Sequence, residues 1–199
     1  IDAVRYVGNR SSGRMGFAVA EAAAALGADV TVVAANVTLP RAAGVQYVDV
    51  STAAELHAAC LAAFPASEVL VMAAAVADFR PAAPEDGKRK KDGLPSLTLE
   101  LVATEDTLCA LSAMRAPGQT LVGFAAEHGS GAVDFAREKL ARKGLDAIVV
   151  NDVSQPGIGF DSSDNAVTII TADSELAVPK ASKDAVARVI LEAVCARRS

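Results

Sequence analysis

Short runs of valine, leucine and isoleucine alternate along this chain with alanine-rich stretches of helical length. Val30-Thr31-Val32-Val33-Ala34, Val45 to Val50, Val69-Leu70-Val71-Met72-Ala73, Thr120-Leu121-Val122-Gly123-Phe124 and Ala147-Ile148-Val149-Val150 have strand length, and all but the second are apolar almost throughout. Near-continuous apolar strands belong to a parallel sheet covered on both faces, because a one-sided sheet would alternate apolar with polar. Between them the spacing predicts helices from Phe17 to about Leu26, from Thr52 to about Phe64 and over Val133 to Lys143. The first is nearly free of charge and is expected to be buried on most sides. The second opens on Thr52-Ala53-Ala54-Glu55, which has capping-box form. Asn165 to Thr171 and Glu175 to Val178 read as a hairpin, followed by a helix from about Ser182 to Ala196.

These elements predict an α/β fold: a mostly parallel sheet with helices on both faces. One segment departs from strand–helix alternation. Ala82 to Pro95 is polar, contains proline and glycine, and carries Lys88-Arg89-Lys90-Lys91. It leads into Leu97-Thr98-Leu99-Glu100-Leu101, whose alternation fits an exposed or edge strand. The pair reads as a flap or hairpin extending from the sheet. With no internal repeat and no low-complexity linker, residues 1–199 read as a single domain. The chain starts at Ile1, not methionine, and is expected to be the C-terminal part of a longer chain.

Sheets of this kind bind ligands beyond the carboxyl ends of their strands. The positions to inspect are therefore Asn36, Ala74 to Asp78, Ala125 to His128, and Asn151-Asp152. Asn9-Arg10-Ser11-Ser12-Gly13-Arg14-Met15-Gly16, ahead of the first helix, combines an amide, two hydroxyls, two guanidinium groups and two glycines. A helix N-terminus offers unpaired N–H groups and partial positive charge, which suit a phosphate or carboxylate. Asp78 supplies a carboxylate for a ribose hydroxyl, a base amino group or a metal ion, or it caps a turn. Lys139 and Lys143, four residues apart, share one face of their helix.

A net charge of −5 on 199 residues argues against general nucleic-acid binding. Cys60, Cys109 and Cys195 are odd in number and not closely spaced, which fits neither a disulfide framework nor a zinc site and points to a cytoplasmic location. There is no membrane-spanning apolar run. G-x-G-x-x-G, a Walker A lysine motif, G-x-S-x-G and H-E-x-x-H are all missing. His57 and His128 have no partner visible in sequence and receive no catalytic role. The residues alone support a nucleotide or phosphate ligand without naming a reaction, and leave open an NAD(P)-dependent oxidoreductase or a nucleotide-sensing module.

Six blocks, in order, carry a resemblance. They are Asn9 to Gly16, Ala73-Ala74-Ala75-Val76-Ala77-Asp78-Phe79-Arg80-Pro81, Lys88 with Lys90-Lys91, Val122-Gly123-Phe124-Ala125-Ala126-Glu127, Lys139-Leu140-Ala141-Arg142-Lys143, and Val150-Asn151-Asp152-Val153-Ser154. Together they resemble the phosphopantothenate–cysteine ligase family, the second domain of the bifunctional bacterial coenzyme A biosynthesis flavoprotein. The resemblance implies a Rossmann-like fold and a homodimer. It implies CTP, 4′-phosphopantothenate and L-cysteine as substrates, with Mg²⁺ accompanying the nucleotide. The family's flavin-dependent phosphopantothenoylcysteine decarboxylase domain is expected on the same full-length protein, with no flavin in this chain.

The implied reaction has two halves. The acid attacks the α-phosphorus of CTP to give an acyl-cytidylate and pyrophosphate; the amine of cysteine then displaces CMP. Two unit charges about 5 Å apart repel by roughly 3 kcal/mol at an effective dielectric near 20, so cations must accompany the first half. By matching position, CTP contacts fall on Met72, Ala73, Ala74, Asp78, Lys88, Glu105, Asp106, Thr107, Leu108, Phe124, Lys139 and Lys143. Catalytic roles fall on Lys88, neutralising the triphosphate under the closing flap, and on Asn9, donating to the oxyanion as cysteine attacks. The metal ligands are not assigned. Thr104-Glu105-Asp106 stands where the family commonly has Asn-Pro-Asp. The family also has a leading strand and a Gly/Thr-rich turn ahead of the position of Ile1, and eukaryotic relatives use ATP.

Overall fold

In a β-strand successive side chains point to opposite faces, so a run apolar at every position needs cover on both sides. The computed structural model, which describes residues 1–91, 93, 95–127, 131–152 and 162–197, shows this cover. The strands are β1 (Val30–Ala35), β2 (Val45–Val50), β3 (Val69–Met72), β4 (Phe79–Pro81), β5 (Leu101–Ala103), β6 (Thr120–Glu127), β7 (Ala147–Asp152), β8 (Asp164–Thr171) and β9 (Glu175–Ser182). The α-helices are α1 (Arg14–Ala25), α2 (Ala53–Ala63), α3 (Thr107–Ala113), α4 (Ala132–Lys143) and α5 (Lys183–Cys195).

The main sheet has the order β3-β6-β7-β8-β9. Its first three strands are parallel, and β8 and β9 close it antiparallel. Leu121, Ile148, Val150 and Ile170 face a core built with Leu56 and Cys60 of α2, Leu108 and Leu111 of α3, and Leu140 of α4. Their neighbours Val122, Ala147, Val149 and Ile169 face the other way, onto Ala18 and Val19 of α1 and Val186 and Ile190 of α5. At about 1.5–3 kcal/mol for each fully buried aliphatic side chain, these two layers are the main drive for folding. β1 and β2 form a separate parallel pair, not hydrogen-bonded to the main sheet.

Several expectations shift in detail. The helix expected at Phe17 starts at Arg14, and only Phe17 to Ala20 are fully buried; Leu26, just past its end, is 71% exposed. One face of α1 lies on the sheet and α5, and the alanines elsewhere on it are too small to need full burial. The strand expected at Leu97 to Leu101 begins only at Leu101. Its partner β4 is three residues long, so the ladder runs from Phe79↔Ala103 to Pro81↔Leu101 and ends with one further bond from Ala82 N to Glu100 O (2.9 Å). This two-stranded ribbon stands apart from the main sheet. β9 extends past Val178 to Ser182, with Pro179 tolerated because β9 is an edge strand. The Thr52–Glu55 capping box forms as expected.

Candidate active site

A cleft of about 570 Å³ opens at the carboxyl ends of β3, β6 and β7. Its walls come from the turn into α1, the segment after β3, the start of α3, the inner face of α4, and the ends of β7 and β8. Asn9, Met72, Ala73, Ala74, Asp78, Glu105, Asp106, Thr107, Leu108, Phe124, Lys139 and Lys143 all line it. One expected residue does not.

Lys88 is exposed and does not line the cleft. The segment carrying it is tied to the start of the chain. Arg89 N donates to Asp2 Oδ2 (3.1 Å), Arg5 Nη2 donates to Arg89 O (3.0 Å), and Glu85 N donates to Ile1 O (3.0 Å). Asp2 also accepts from Arg5, and that hydrogen bond holds its carboxyl far below the ordinary range.

Close backbone approach shapes the turn into α1. Gly13 has φ of 77°, and a Cβ there would lie 2.8 Å from Val37 Cγ2. A Cβ on Gly16 would sit 3.3 Å from the Ala73 Cβ, so the first turn of α1 presses on the exit of β3. Gly13→Ala is expected to cost about 1–3 kcal/mol from left-handed strain plus overpacking. Thermal denaturation checks this; an unchanged midpoint would mean that Val37 yields and the turn is not under steric control.

Asn9 closes the same corner from above. Its Nδ2 donates to the carbonyls of Ala75 (3.2 Å) and Val76 (3.1 Å), fastening the segment after β3. That segment is held on its other side by Thr104, whose Oγ1 donates to Ala77 O (2.7 Å) and whose N donates to Asp78 O (2.9 Å). Small side chains from Ala73 to Ala77 leave its backbone open to a ligand.

The positive wall is made by α4. Lys139 Nζ donates to Phe124 O (3.0 Å), and Lys143 Nζ donates to Asp106 Oδ1 (3.0 Å). Asp106 is also the N-cap of α3, accepting from Cys109 N (3.1 Å). The Thr104-Glu105-Asp106 sequence thus supplies its own cap, Glu105 remaining exposed beside it. Burial pushes the Asp106 carboxyl up, but the Lys143 ammonium and the Cys109 amide outweigh it and hold the group below its ordinary value. The Cys109 thiol is pushed up by burial and then by Asp106.

A carboxyl with a depressed folded pKa adds stability that is present above its unfolded value, about 3.9, and lost as pH falls through the lower folded value. Asp106→Asn, which keeps a capping side chain, is expected to flatten that acid limb. Thermal midpoints at about pH 7 and pH 3 test it, an identical acid loss in both proteins being the contrary result.

Some cleft residues were not legible as such. Thr107, which lines the cleft, has its Oγ1 3.1 Å from Nδ1 of His57, which does not, an α2–α3 contact that sequence cannot show. Asn165 and Lys183 line the cleft from β8 and the start of α5. The signal for Lys183 was a cation at the first position of a helix, where the dipole disfavours it. His128, Val153 and Ser154 lie outside the described residues. Among the described residues no group of three His, Cys, Asp or Glu side chains could hold a metal ion. Among the described residues, the cleft-lining carboxylates are Asp78 and Glu105, which make no ion pair there, and Asp106, which is paired with Lys143.

A mostly parallel sheet with a cation-walled cleft beyond its strand ends is the arrangement in which α/β proteins commonly hold phosphates and nucleotides. The chain belongs to the family of the DNA/pantothenate metabolism flavoprotein C-terminal domain, which it matches over residues 1–197. It is 42% identical over 195 residues to the coenzyme A biosynthesis bifunctional protein CoaBC of Vibrio cholerae, covering 98% of this chain and 49% of that protein. The CoaBC of Mycobacterium bovis is 45% identical over 204 residues, covering 98% and 49%. The chain therefore spans about half the length of these relatives. The crystal structure of the C-terminal domain of a CoaBC superposes with a TM-score of 0.81 at 34% identity, covering 98% of this chain and 87% of that one.

Proposed function

We propose that this chain is a phosphopantothenate–cysteine ligase domain. It uses CTP to join 4′-phosphopantothenate and L-cysteine through an acyl-cytidylate, in coenzyme A biosynthesis. The observation that carries the reading is the meeting of Asn9, the Met72–Asp78 segment, the start of α3 and Lys139 and Lys143 around one cleft. Relatives at this identity that carry the coenzyme A biosynthesis name support it.

In this reading the open backbone of Met72, Ala73 and Ala74, with Asp78 and Phe124, holds the nucleoside. Residues Glu105 to Leu108, at the start of α3, border its phosphates. Lys139 and Lys143 act as point charges on the triphosphate, and each exchanges a protein oxygen for a phosphate oxygen. Asn9 faces the reacting carbonyl from the turn into α1. Lys88 would join them when its flap closes, which requires release of the bonds from Arg89 to Asp2 and Arg5.

Mg²⁺ needs only one or two carboxylates when substrate phosphates supply its other ligands, so the donor set of Asp78 and Glu105 fits an ion carried in with CTP. Bound there, it would neutralise phosphate charge.

A homodimer is part of the proposal. The β4–β5 ribbon and the N-terminal stretch expose Phe79 (53%), Leu101 (42%) and Tyr6 (74%), apolar surface that a second copy would cover. A fused flavin-dependent decarboxylase domain accords with relatives twice the length of this chain. A cytoplasmic location accords with three free cysteines; among the described residues no helix is long and apolar enough to cross a membrane.

Incubation with CTP, 4′-phosphopantothenate and cysteine tests the reading. Pyrophosphate release that depends on phosphopantothenate, with amide product only when cysteine is present, is expected. Nicotinamide turnover, or nucleotide binding without pyrophosphate, would replace the ligase by an oxidoreductase or a sensing module. Running the assay with ATP beside CTP fixes the nucleotide.

A further inference from the structure

A contact between α2 and α3 reaches the cleft through one hydroxyl. Leu56 of α2 and Leu108 of α3 are buried in the same core layer. Each has a polar neighbour in the chain, His57 and Thr107, and the packing of the two helices brings these together. His57 Nδ1 lies 3.1 Å from Thr107 Oγ1. Thr107 is 6% exposed and lines the cleft, whereas His57 is half-buried and does not line it.

The imidazole decides what Thr107 can present to a ligand. Inside a helix a threonine hydroxyl can turn back onto a carbonyl of the preceding turn. Thr107 is the first residue of α3, directly after the N-cap Asp106, so α3 has no earlier turn to accept from it. Its hydroxyl has one proton and two lone pairs. Where Nδ1 accepts, that proton is used on His57 and only lone pairs face the cleft, which repels an anion. Where Nδ1 carries a proton and donates, the hydroxyl proton is left for a ligand oxygen. The ring can take either role, according to its tautomer.

The neighbouring charges favour the second arrangement once a phosphate arrives. Glu105 and Asp106, the two residues before Thr107, are carboxylates that line the cleft. Asp106 is paired with Lys143. A phosphate oxygen drawn to Lys143 therefore meets two carboxylates as well, and each donor aimed at it offsets that repulsion. Thr107 supplies an uncharged donor from the same short segment.

We propose that His57 is a positioning residue for the cleft. It holds the Thr107 side chain by donating from Nδ1, so that the hydroxyl donates to a phosphate oxygen of the bound nucleotide. His57 itself touches no ligand. Both residues lie outside every sequence block that carries the family resemblance. The inference rests on the ligase reading for the nucleotide.

Calorimetric CTP binding and pyrophosphate kinetics are compared for the parent, His57→Leu, His57→Asn, Thr107→Val and the double variant of leucine at 57 with valine at 107. Thr107→Val is expected to weaken CTP binding about tenfold or more, the loss of a hydrogen bond to a charged group. His57→Leu should weaken it about three- to tenfold with kcat within about twofold, since the hydroxyl remains but is no longer held. The double variant should be within about twofold of Thr107→Val alone, because His57 acts through that hydroxyl. An asparagine amide can stand where Nδ1–H stands, so His57→Asn should restore CTP affinity to within about twofold of the parent.

Normal CTP affinity in His57→Leu, single losses that multiply in the double variant, or an asparagine variant no better than the leucine one overturns the proposal. The pair would then be a staple between α2 and α3 and nothing more. A second measurement leaves the pair intact. The chain has two histidines, so with His128→Gln the ring read by heteronuclear NMR is that of His57. In CTP-saturated protein its Nδ1 is expected to carry the proton, and an unprotonated Nδ1 there overturns the proposal even where a variant at 57 or 107 does not fold. If CTP does not bind the parent, inorganic tripolyphosphate takes its place in the same comparison, and binding of neither removes the anion from Thr107 and the proposal with it. CTP binding without pyrophosphate release in the full reaction mixture would defeat the ligase reading alone, and the affinity comparison would still decide the role of His57.

Discussion

Replacing Lys139 and Lys143 together by methionine is expected to raise the KM for CTP by a hundredfold or more, on the order of 10- to 100-fold for each charged hydrogen bond removed. The effect should fall short of the product of the single losses, because both lysines act on one polyanion. Methionine keeps most of the apolar stem, so packing against the cleft wall is largely preserved. Lys143 gives up its bond to Asp106 and Lys139 its bond to the Phe124 carbonyl. Neither loss strands a deeply buried charge, since the Asp106 side chain is 45% exposed. Thermal midpoints should therefore move little while the nucleotide constant moves far. A double variant with normal CTP kinetics would take the triphosphate away from α4 altogether.

Asn9→Asp is expected to slow amide formation from cysteine by about 10²–10³, the usual effect of losing one oxyanion donor. Pyrophosphate release should persist within about tenfold, so acyl-cytidylate accumulates. The structure adds a second consequence. Asn9 Nδ2 is tied to the carbonyls of Ala75 and Val76, and an aspartate would set oxygen against oxygen at both. The segment after β3 should loosen, which would raise the KM for CTP modestly. Single-turnover assays of pyrophosphate and of amide product separate the two roles. Equal slowing of both steps would leave Asn9 as a clamp on that segment and nothing more.

Much of the fold was legible because period and end signals agreed. The apolar runs at Thr120 and Ala147 became parallel strands covered on both faces, the run at Val69 became a half-buried parallel edge strand, and Thr52 with Glu55 capped α2 as their spacing required. The errors fell where partners decide. Leu97 to Leu101 alternates like a strand, but pairing follows the short β4 opposite, so only Leu101 entered the ribbon. The start of α1 was placed late because Gly13, in a left-handed turn, ends the preceding segment without a polar cap to announce it. At the cleft, motif residues such as Asn9, Asp78, Phe124, Lys139 and Lys143 come together, while Lys88, from a motif of the same kind, does not line it. Asn165 and Lys183 were not legible as cleft residues, since neither their burial nor their place in its lining leaves a local pattern.

The sequence by itself determined the α/β class, the order of elements apart from β4 and α3, and which residue types stand at the strand ends, because hydrophobic period and capping are local properties of the chain. Only the tertiary structure decided which of those groups meet. It drew Lys139, Lys143 and Asn9 to one cleft, held Lys88 off it through Asp2 and Arg5, and set Lys183 in its lining. The physical reason is that such meetings depend on strand order, register and burial, which are set by long-range pairing that neighbours in sequence do not encode.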